Sequence, residues 1–276
     1  MNRLPPADDR LPFAQGTGTD RPRSIPFGLG VRRAFSVAIQ AALRVRSSPL
    51  QLGKSLGVLV VAPHPDDETF GCGGTLALLS RAGARLNVAF LTDGRASHPG
   101  HPAVTPAQLA TLREAEARAA TGLLGIDGGS LVFLNVADGT LRSLDPALRK
   151  EVVDAIVRLL NRFRPQFVLA PCRSDGSSEH DAAYLIVASA VEQSGLTLRV
   201  LEYPVWSWWS PRLLLSHLST YRKVWRTSID GVRSLKGQAI AQYVSQVSPL
   251  PPDDAAVLPA GFPSMFLCRS EYLFEK

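Results

Sequence analysis

Residues Val58–Gly74 read VLVVAPHPDDETFGCGG, and this stretch decides the fold. Its first part, Val58–Ala62, is a short β-branched apolar run that ends at a proline, which is the pattern of a fully buried strand. The segment after Gly73 has apolar residues at helical spacing and ends at Gly83. The polar residues in between therefore lie where a buried strand passes into a helix. In open α/β sheets, ligands bind at this carboxyl end of the strands.

One histidine and three consecutive acids occupy this junction. Three adjacent carboxylates repel one another and cost stability unless a cation neutralises them. If the turn is helical, His64 and Asp67 share a face because they are three residues apart, and Asp66 points elsewhere. An imidazole and a carboxylate on one face suit Zn²⁺, and Asp66 is then free to take a proton from water.

Strand-like and helix-like segments alternate along the rest of the chain. The predicted strands are Leu86–Leu91, Leu131–Leu134, Phe167–Ala170, Leu198–Tyr203 and Tyr221–Ile229, and the predicted helices are Pro106–Leu124, Pro146–Phe163, Asp181–Ser194 and Gly231–Tyr243. This alternation predicts an α/β fold, a Rossmann-like doubly wound and mostly parallel sheet with helices on both faces. Polar groups follow several of the strands, at Asp93, residues 135–138 and residues 173–180, which predicts a site at that edge of the sheet.

The chain of 276 residues divides into three predicted parts. Residues 1–30 contain five Pro and four Gly and are predicted to form a disordered or surface-draped basic arm, residues 31–50 an N-terminal helix, and residues 51–276 a single α/β domain. Residues 1–50 carry eight Arg and three Asp, so they hold most of the net charge of +6. A nearly neutral body argues against a nucleic-acid groove.

The predicted N-terminal helix, Val31–Val45, is apolar nearly all round its middle and needs cover. It either packs on the edge of the domain or lies on an anionic membrane surface, and packing is favoured because its central residues offer no polar face. No secretory signal is visible, and three cysteines fit a reducing compartment. We therefore expect a cytoplasmic protein, with weak association of the basic arm with the inner membrane face.

The PHPDDE segment followed by GCGG resembles the HPDDE signature of the PIG-L/LmbE-like family of zinc-dependent N-acetylglucosaminyl deacetylases. The similarity covers roughly residues 57–246. Its further motifs are TDG at Thr92–Gly94, LREAEARAATGLLGI at Leu112–Ile126, SDGSSEHDAA at Ser174–Ala183, EYPVW at Glu202–Trp206, and K-x-x-A-x-x-x-Y-x-S-Q from Lys236 to Gln246.

The resemblance implies a hydrolase that removes an N-acyl group, above all acetyl, from an amino sugar. His64, Asp67 and His180 would bind Zn²⁺, and Asp66 would be the general base. The carrier of the sugar varies within the family and stays open. His98 and His101 compete as ligands because H-x-x-H also binds metal, although their Pro-rich loop favours substrate contact or solvation.

The chain departs from the family at one position. The family loop often reads HPDH, and its first histidine is thought to act as an acid or to polarise the scissile carbonyl. Ser177 stands at that place, and a serine cannot donate a proton as an imidazolium does. Zinc, Arg95, a histidine of the 98–101 loop or Arg173 would polarise the carbonyl instead, and Arg173 is our choice.

The remaining candidates are substrate contacts. They are Asp93, Arg95, Arg113, Arg173, Ser177 and Trp206. Arg113 either forms a surface ion pair with Glu116, three residues on, or faces the site. Trp206 and its aromatic neighbours either form the floor of a sugar site or pack in the core or in a lid. The alternatives to a deacetylase are a non-catalytic zinc- or carbohydrate-binding module, motivated by Ser177, and a metal hydrolase of a different amide or ester. A binding module has no need of Asp66, which favours catalysis.

Overall fold

The computed structural model describes residues 28–51, 53 and 56–276, so most of the predicted arm over residues 1–30 lies outside the described residues. One eight-stranded sheet runs through the described part of the chain. Its strands are β1 (Ser47–Pro49), β2 (Gly57–Ala62), β3 (Arg85–Thr92), β4 (Leu131–Val136), β5 (Phe167–Pro171), β6 (Arg199–Tyr203), β7 (Lys223–Ser228) and β8 (Ser270–Glu275). The order is β1-β7-β8-β6-β5-β2-β3-β4, and only β8 runs antiparallel to its neighbours.

Helices cover both faces of this sheet. They are α1 (Leu29–Arg46), α2 (Asp67–Arg81), α3 (Pro106–Leu123), α4 (Pro146–Phe163), α5 (Ser178–Ser194), α6 (Trp206–Trp209), α7 (Pro211–Thr220), α8 (Arg233–Ile240) and α9 (Val244–Val247). Side chains of β2 alternate between two apolar cores: Val58 and Val60 face the core under α2 and α3, and Leu59 and Val61 face the core under α4 and α5. The predicted α/β fold with a mostly parallel sheet is confirmed.

Three helices begin at side-chain caps that the sequence displays. Thr105 and Gln108 form a reciprocal capping box at the start of α3, with Pro106 at the first helical position. The Asp145 carboxylate accepts two backbone N–H groups of α4. Ser177 caps α5 through a 3.3 Å hydrogen bond that its Oγ accepts from the amide of His180. These caps position the loops that lead into the site.

The structure differs from the sequence prediction in several regions: residues 47–49 of the predicted N-terminal helix form strand β1, α6, α7 and β8 were not predicted, and two further differences lie at α2 and α8. Helix α2 already begins at Asp67 and is interrupted at Cys72, whose φ of −143° is not helical. Its second half starts afresh because the buried Glu271 carboxylate accepts the amides of Gly74 and Thr75, at 2.8 and 2.7 Å. The predicted helix 231–243 is shorter in the structure, because a 3₁₀ turn precedes α8 and a turn follows Ile240.

Helix α1 packs on the edge of the domain, beside α7 and β7. Its own Ile39 and Leu43 are buried against the domain, and the guanidinium of its Arg32 lies 4.5 Å from the ring centre of Trp209. Within the described residues, no helix combines the length and the apolar content needed to cross a membrane.

Candidate metal centre

The turn after β2 is held from the neighbouring strand. The carbonyl of Pro63 accepts the backbone N–H and the hydroxyl of Thr92, the last residue of β3, at 2.9 and 2.8 Å. The chain then passes through Asp66 at a φ of 137° before α2 begins at Asp67. A positive φ is uncommon for a residue other than glycine and here occurs at a candidate catalytic acid.

His64, Asp67 and His180 come together at the carboxyl ends of β2 and β5. One potential ligand atom from each lies within 4.8 Å of the other two. The two oxygens of Asp67 face different imidazoles: Oδ2 lies 3.0 Å from Nδ1 of His64, and Oδ1 lies 3.3 Å from Nε2 of His180. The spacing of three residues between His64 and Asp67 thus places both side chains at one centre.

Asp175 orients His180 and was not among the sequence candidates. Its Oδ2 lies 2.8 Å from Nδ1 of His180, and both side chains are fully buried. The Asp175 carboxylate also accepts the backbone N–H groups of Val205, Trp206 and Ser207, at 2.9 to 3.2 Å, and the Ser207 hydroxyl. A carboxylate behind a histidine fixes which ring nitrogen points forward, as it does behind metal-bound histidines.

The donor set fits a divalent cation. Nε2 of His180 is buried, lies near Asp67 and has no hydrogen-bond partner within the described part of the chain. Burial alone would lower the pKa of His180, but Asp67 and Asp175 raise it to about 10. The carboxylates thus stabilise positive charge at this point. A divalent cation bound by neutral imidazoles would supply that charge, and the two histidines and one carboxylate match a zinc site with an open position.

A second carboxylate pair faces the other side of His64. Oδ1 of Asp138 lies 3.2 Å from Nε2 of His64, and Oε2 of Glu179 lies 3.8 Å away. Burial would raise the pKa of Asp138, but the neighbouring His64 outweighs burial and holds it below the ordinary value. These three residues also lie within metal-ligand spacing of one another. Asp138 belongs to the Asp-Gly turn after β4. The sequence indicated it as a site residue only through its position after a predicted strand.

Asp66 lies beside the centre rather than in it. Its Oδ2 is 3.4 Å from Nη2 of Arg113, and its backbone N–H donates to Glu68 at 3.1 Å. Burial raises the pKa of Asp66 to about 7, although Arg113 opposes the shift. A carboxyl group with a pKa near neutrality is suited to exchanging a proton during a reaction.

Arg113 and Glu116 do not form a surface ion pair, because both are buried and bind different partners. Nη2 of Arg113 donates to the carbonyl of Pro65, while its Nε and Nη1 are buried without a hydrogen-bond partner. Glu116 accepts the amide and the hydroxyl of Ser245, both at 2.7 Å. Arg113 therefore faces the turn that carries Asp66.

The other substrate candidates occupy different surroundings. Asp93 is buried, and its carboxylate binds the Arg95 guanidinium and the amide of Asp138, so it supports the loop, while Arg95 is 43% exposed. Ser177 is committed to capping α5. The amide of Arg173 donates to Glu202, and its charge acts on Glu202 and Tyr184. The role of Arg173 in polarising a carbonyl stays a prediction.

The aromatic cluster serves mainly as packing. Tyr203 is fully buried and donates to the carbonyl of Val61, and Trp208 packs near Tyr272. The half-buried ring of Trp206 packs at 4.9 Å from that of Phe262, while its amide holds Asp175. Trp206 thus contacts Asp175, the residue that orients His180. Stacking of its ring on a sugar stays a prediction.

His98 and His101 line a separate groove beside the centre. The groove has a volume of about 420 Å³ and lies between residues 97–102 and residues 253–257. Both ring nitrogens of His101 are engaged, Nε2 with the carbonyl of Leu250 and Nδ1 with the amide of Ala103. Neither histidine belongs to the two groups with metal-ligand spacing found among the described residues. The amide of Ala96, next to the groove, donates to Asp138, which links the groove to the centre.

Comparison with known proteins gives this geometry a family context. The family described as "PIG-L: GlcNAc-PI de-N-acetylase" matches residues 59–191. A probable N-acetyl-alpha-D-glucosaminyl L-malate deacetylase 2 of Bacillus anthracis is 31% identical over 49% of this chain, which covers 58% of that protein's own length. A 1D-myo-inositol 2-acetamido-2-deoxy-alpha-D-glucopyranoside deacetylase of Rhodococcus erythropolis is 27% identical over 70% of this chain and 82% of its own.

Among solved structures, the 4-carboxy-2-hydroxymuconate hydratase of Pseudomonas putida superposes with a TM-score of 0.59 at 21% identity, over 76% of this chain and 82% of that one. That likeness shows the shared fold, and a hydratase among the neighbours means that the fold alone does not decide the reaction. The matched residues 59–191 contain the HPDD turn, the buried Arg113 and His180, and the named sequence relatives agree with the family. These findings support the assignment of the chain to the PIG-L/LmbE-like deacetylase family.

Proposed function

We propose that this protein is a zinc-dependent hydrolase that removes the N-acetyl group from an amino sugar. The observation that carries the proposal is the convergence of His64, Asp67 and His180, with Asp66 beside them. A pure binding module would need the first three residues and would gain nothing from an additional buried acid of raised pKa. The names of the sequence relatives support the amino sugar as the substrate class.

His64, Asp67 and His180 would hold the metal, and Asp175 and Asp138 would support the two imidazoles from behind. A bound Zn²⁺ supplies Lewis acidity, which makes water a nucleophile at neutral pH and stabilises negative charge on the scissile carbonyl oxygen. This donor set of two nitrogens and one carboxylate is the usual one for zinc hydrolases and favours zinc over Mg²⁺ or Ca²⁺, which prefer oxygen ligands alone.

Asp66 would move the proton. Its carboxylate accepts a proton from the attacking water, and the same group returns it to the amine nitrogen as the C–N bond breaks, so one residue serves as base and then as acid. Arg113 lies 3.4 Å from Asp66 and holds the preceding carbonyl of Pro65, so it keeps the carboxylate in place. Its Nε and Nη1 are buried and have no hydrogen-bond partner among the described residues, and we propose Arg113 as a further contact to the substrate.

We place the carrier of the sugar in the groove between residues 97–102 and 253–257, because this groove adjoins Asp138 through Ala96. Asp253 and Asp254 line it, and carboxylates repel an anionic carrier. A hydroxyl-rich carrier, such as a sugar or a cyclitol, should therefore be preferred to a carboxylate or phosphate carrier. Arg95, at the exposed end of the Asp93 loop, and Trp206 remain proposed substrate contacts.

The test is metal analysis combined with amine release. The purified protein should contain one zinc per chain and release free amine from N-acetylglucosamine glycosides, and a panel should compare hydroxyl-rich with carboxylate-bearing carriers. A protein that binds zinc fully but releases amine from no N-acyl sugar would support the binding-module alternative. Release from unrelated amides or esters alone would support the alternative of a different metal hydrolase.

Replacing Ser177 by Ala should change turnover by less than tenfold, under about 1.4 kcal/mol. Its hydroxyl caps α5, so the main expected effect is a loss of stability of about 1 kcal/mol. Ser177→His, which restores the family residue, should keep or raise activity if the loop has room. kcat and thermal unfolding measure the two effects separately. If Ser177→Ala abolished activity while zinc was retained, the serine would take part in the reaction.

Deleting residues 1–28 should leave folding and turnover within a few-fold of the full chain. The residues that we assign to the centre lie between Pro63 and Ser245, and helix α1 begins at Leu29. Thermal unfolding and kcat/KM on an amino-sugar substrate measure the effect. A deletion that unfolded the domain would show that the arm belongs to the core.

A further inference from the structure

Helix α1 presents a strip of apolar residues to solvent, while its buried face carries Arg32 and Ser36 beside Ile39 and Leu43. Its exposed apolar residues are Val31, Ala34, Val37, Ala38, Ala41, Ala42 and Val45, which we call the α1 strip. At 100° per residue these seven side chains fall on one side of the helix. Val31, Val37 and Val45 are 54%, 67% and 87% exposed, whereas Arg32 and Ser36 are 5% exposed each. An amphipathic helix on a protein surface normally exposes charged and polar residues on this side instead.

The surroundings of the strip are basic throughout. Arg33, Arg44 and Arg46 are exposed on α1 itself. Residues 29–49 and 211–228, which form α1, β1, α7 and β7, contain eight Lys or Arg and no Asp or Glu. The whole chain has 30 basic and 24 acidic residues, so the rest of it carries a net charge of −2. Positive charge is thus concentrated around α1 and its exposed apolar strip.

The apolar strip and its basic borders together indicate which kind of partner binds there. A second copy of the chain would bring arginines against arginines with no acid to pair them, and like charges repel. An anionic lipid surface offers negative headgroups around an apolar layer, which complements an apolar strip with basic borders. We propose that the α1 strip binds the surface of a membrane that contains anionic lipid, with the helix lying parallel to it.

The proposal assigns the binding to α1 rather than to the arm. Residues 1–28 contain four Arg and three Asp, a net charge of only +1. Helix α1 leads into β1, the edge strand of the sheet, whereas the candidate metal centre lies at β2 and β5. Substitutions in the strip therefore leave the residues of the centre untouched, and the proposal is independent of the reaction that the centre catalyses.

The test is sedimentation of the full chain with vesicles. Vesicles of phosphatidylcholine with about 30% phosphatidylglycerol should bind the protein at least tenfold better than phosphatidylcholine alone, and binding should weaken between about 0.05 and 0.5 M salt. Val37→Glu alone should weaken binding, and Val37→Glu with Val45→Glu should lower it at least tenfold, both with unchanged circular dichroism. Arg33→Gln with Arg44→Gln should lower binding to the anionic vesicles only.

Leu148→Glu provides the matched control, because Leu148 is a 39% exposed apolar residue of α4, on the opposite face of the sheet. It adds the same charge as Val37→Glu and should leave binding unchanged, as should deletion of residues 1–28. Equal losses for Leu148→Glu and Val37→Glu, or no binding by the unaltered chain, would overturn the proposal. So would a dimer in light scattering that Val37→Glu dissociates, because the strip would then bind a second copy.

Discussion

Replacing Asp66 by Asn is expected to lower turnover by a factor of at least about 100 while the protein keeps its metal. The amide has the shape of the carboxylate but cannot take up the proton of water. Asp66 does not belong to the group of His64, Asp67 and His180, so metal binding should persist. Asn matches Asp in size and branching, so the turn at this position should keep its shape.

Asp67→Asn is the matched control, because it makes the same change one residue away. Both oxygens of Asp67 face imidazoles, at 3.0 and 3.3 Å, and an amide cannot offer negative charge to both sides. This variant should lose zinc, whereas Asp66→Asn should lose turnover at full zinc occupancy. Zinc content by elemental analysis and kcat on the same preparations separate the two outcomes. If Asp66→Asn lost the metal and Asp67→Asn retained it, the two roles would be exchanged.

The fold was predictable where local patterns agree with burial. Strand β2 is buried along its whole length, so its apolar run has no competing interpretation. Helices α3 and α4 match their predicted bounds to within one residue, because Thr105 and Asp145 cap them and a proline follows each cap. Helices α6 and α7 were not predicted. Helix α6 is a single turn whose first amide donates to Asp175, 31 residues before Trp206. Such a contact leaves no periodic signal in the sequence.

The site residues that directly follow predicted strands could be predicted from the sequence. Asp66, Asp67 and His64 follow β2 directly, and His180 follows β5, so the parallel sheet brings them to one edge. The residues that orient them were not predictable, because their contacts depend on loop conformation. Asp175 reaches His180 across the turn before α5, and Asp138 reaches His64 from the loop after β4, two strands away from β2 in the sheet. Helical spacing likewise did not reveal that Arg113 is buried against Pro65 instead of paired with Glu116.

Replacing His180 by Ala is expected to reduce zinc occupancy sharply and with it nearly all turnover. Catalytic zinc is usually held by three protein ligands, and two rarely suffice. The loss should not unfold the domain, because the Asp175 carboxylate keeps its bonds from the amides of Val205, Trp206 and Ser207 when the imidazole is gone. Elemental analysis after dialysis, kcat and circular dichroism measure the three consequences on one sample.

Two further variants make this result specific. His101→Ala removes an imidazole whose nitrogens bind backbone groups at the groove, and it should keep full zinc. Asp175→Asn keeps His180 but removes the charge behind Nδ1, and the loss of such a support typically weakens metal binding by about 10 to 100-fold. Graded losses, small for Asp175→Asn and large for His180→Ala, would mark the first residue as the orienting group and the second as the ligand. Full zinc in His180→Ala would instead remove His180 from the ligand set, and loss of zinc in His101→Ala would transfer that role to the histidines of the groove.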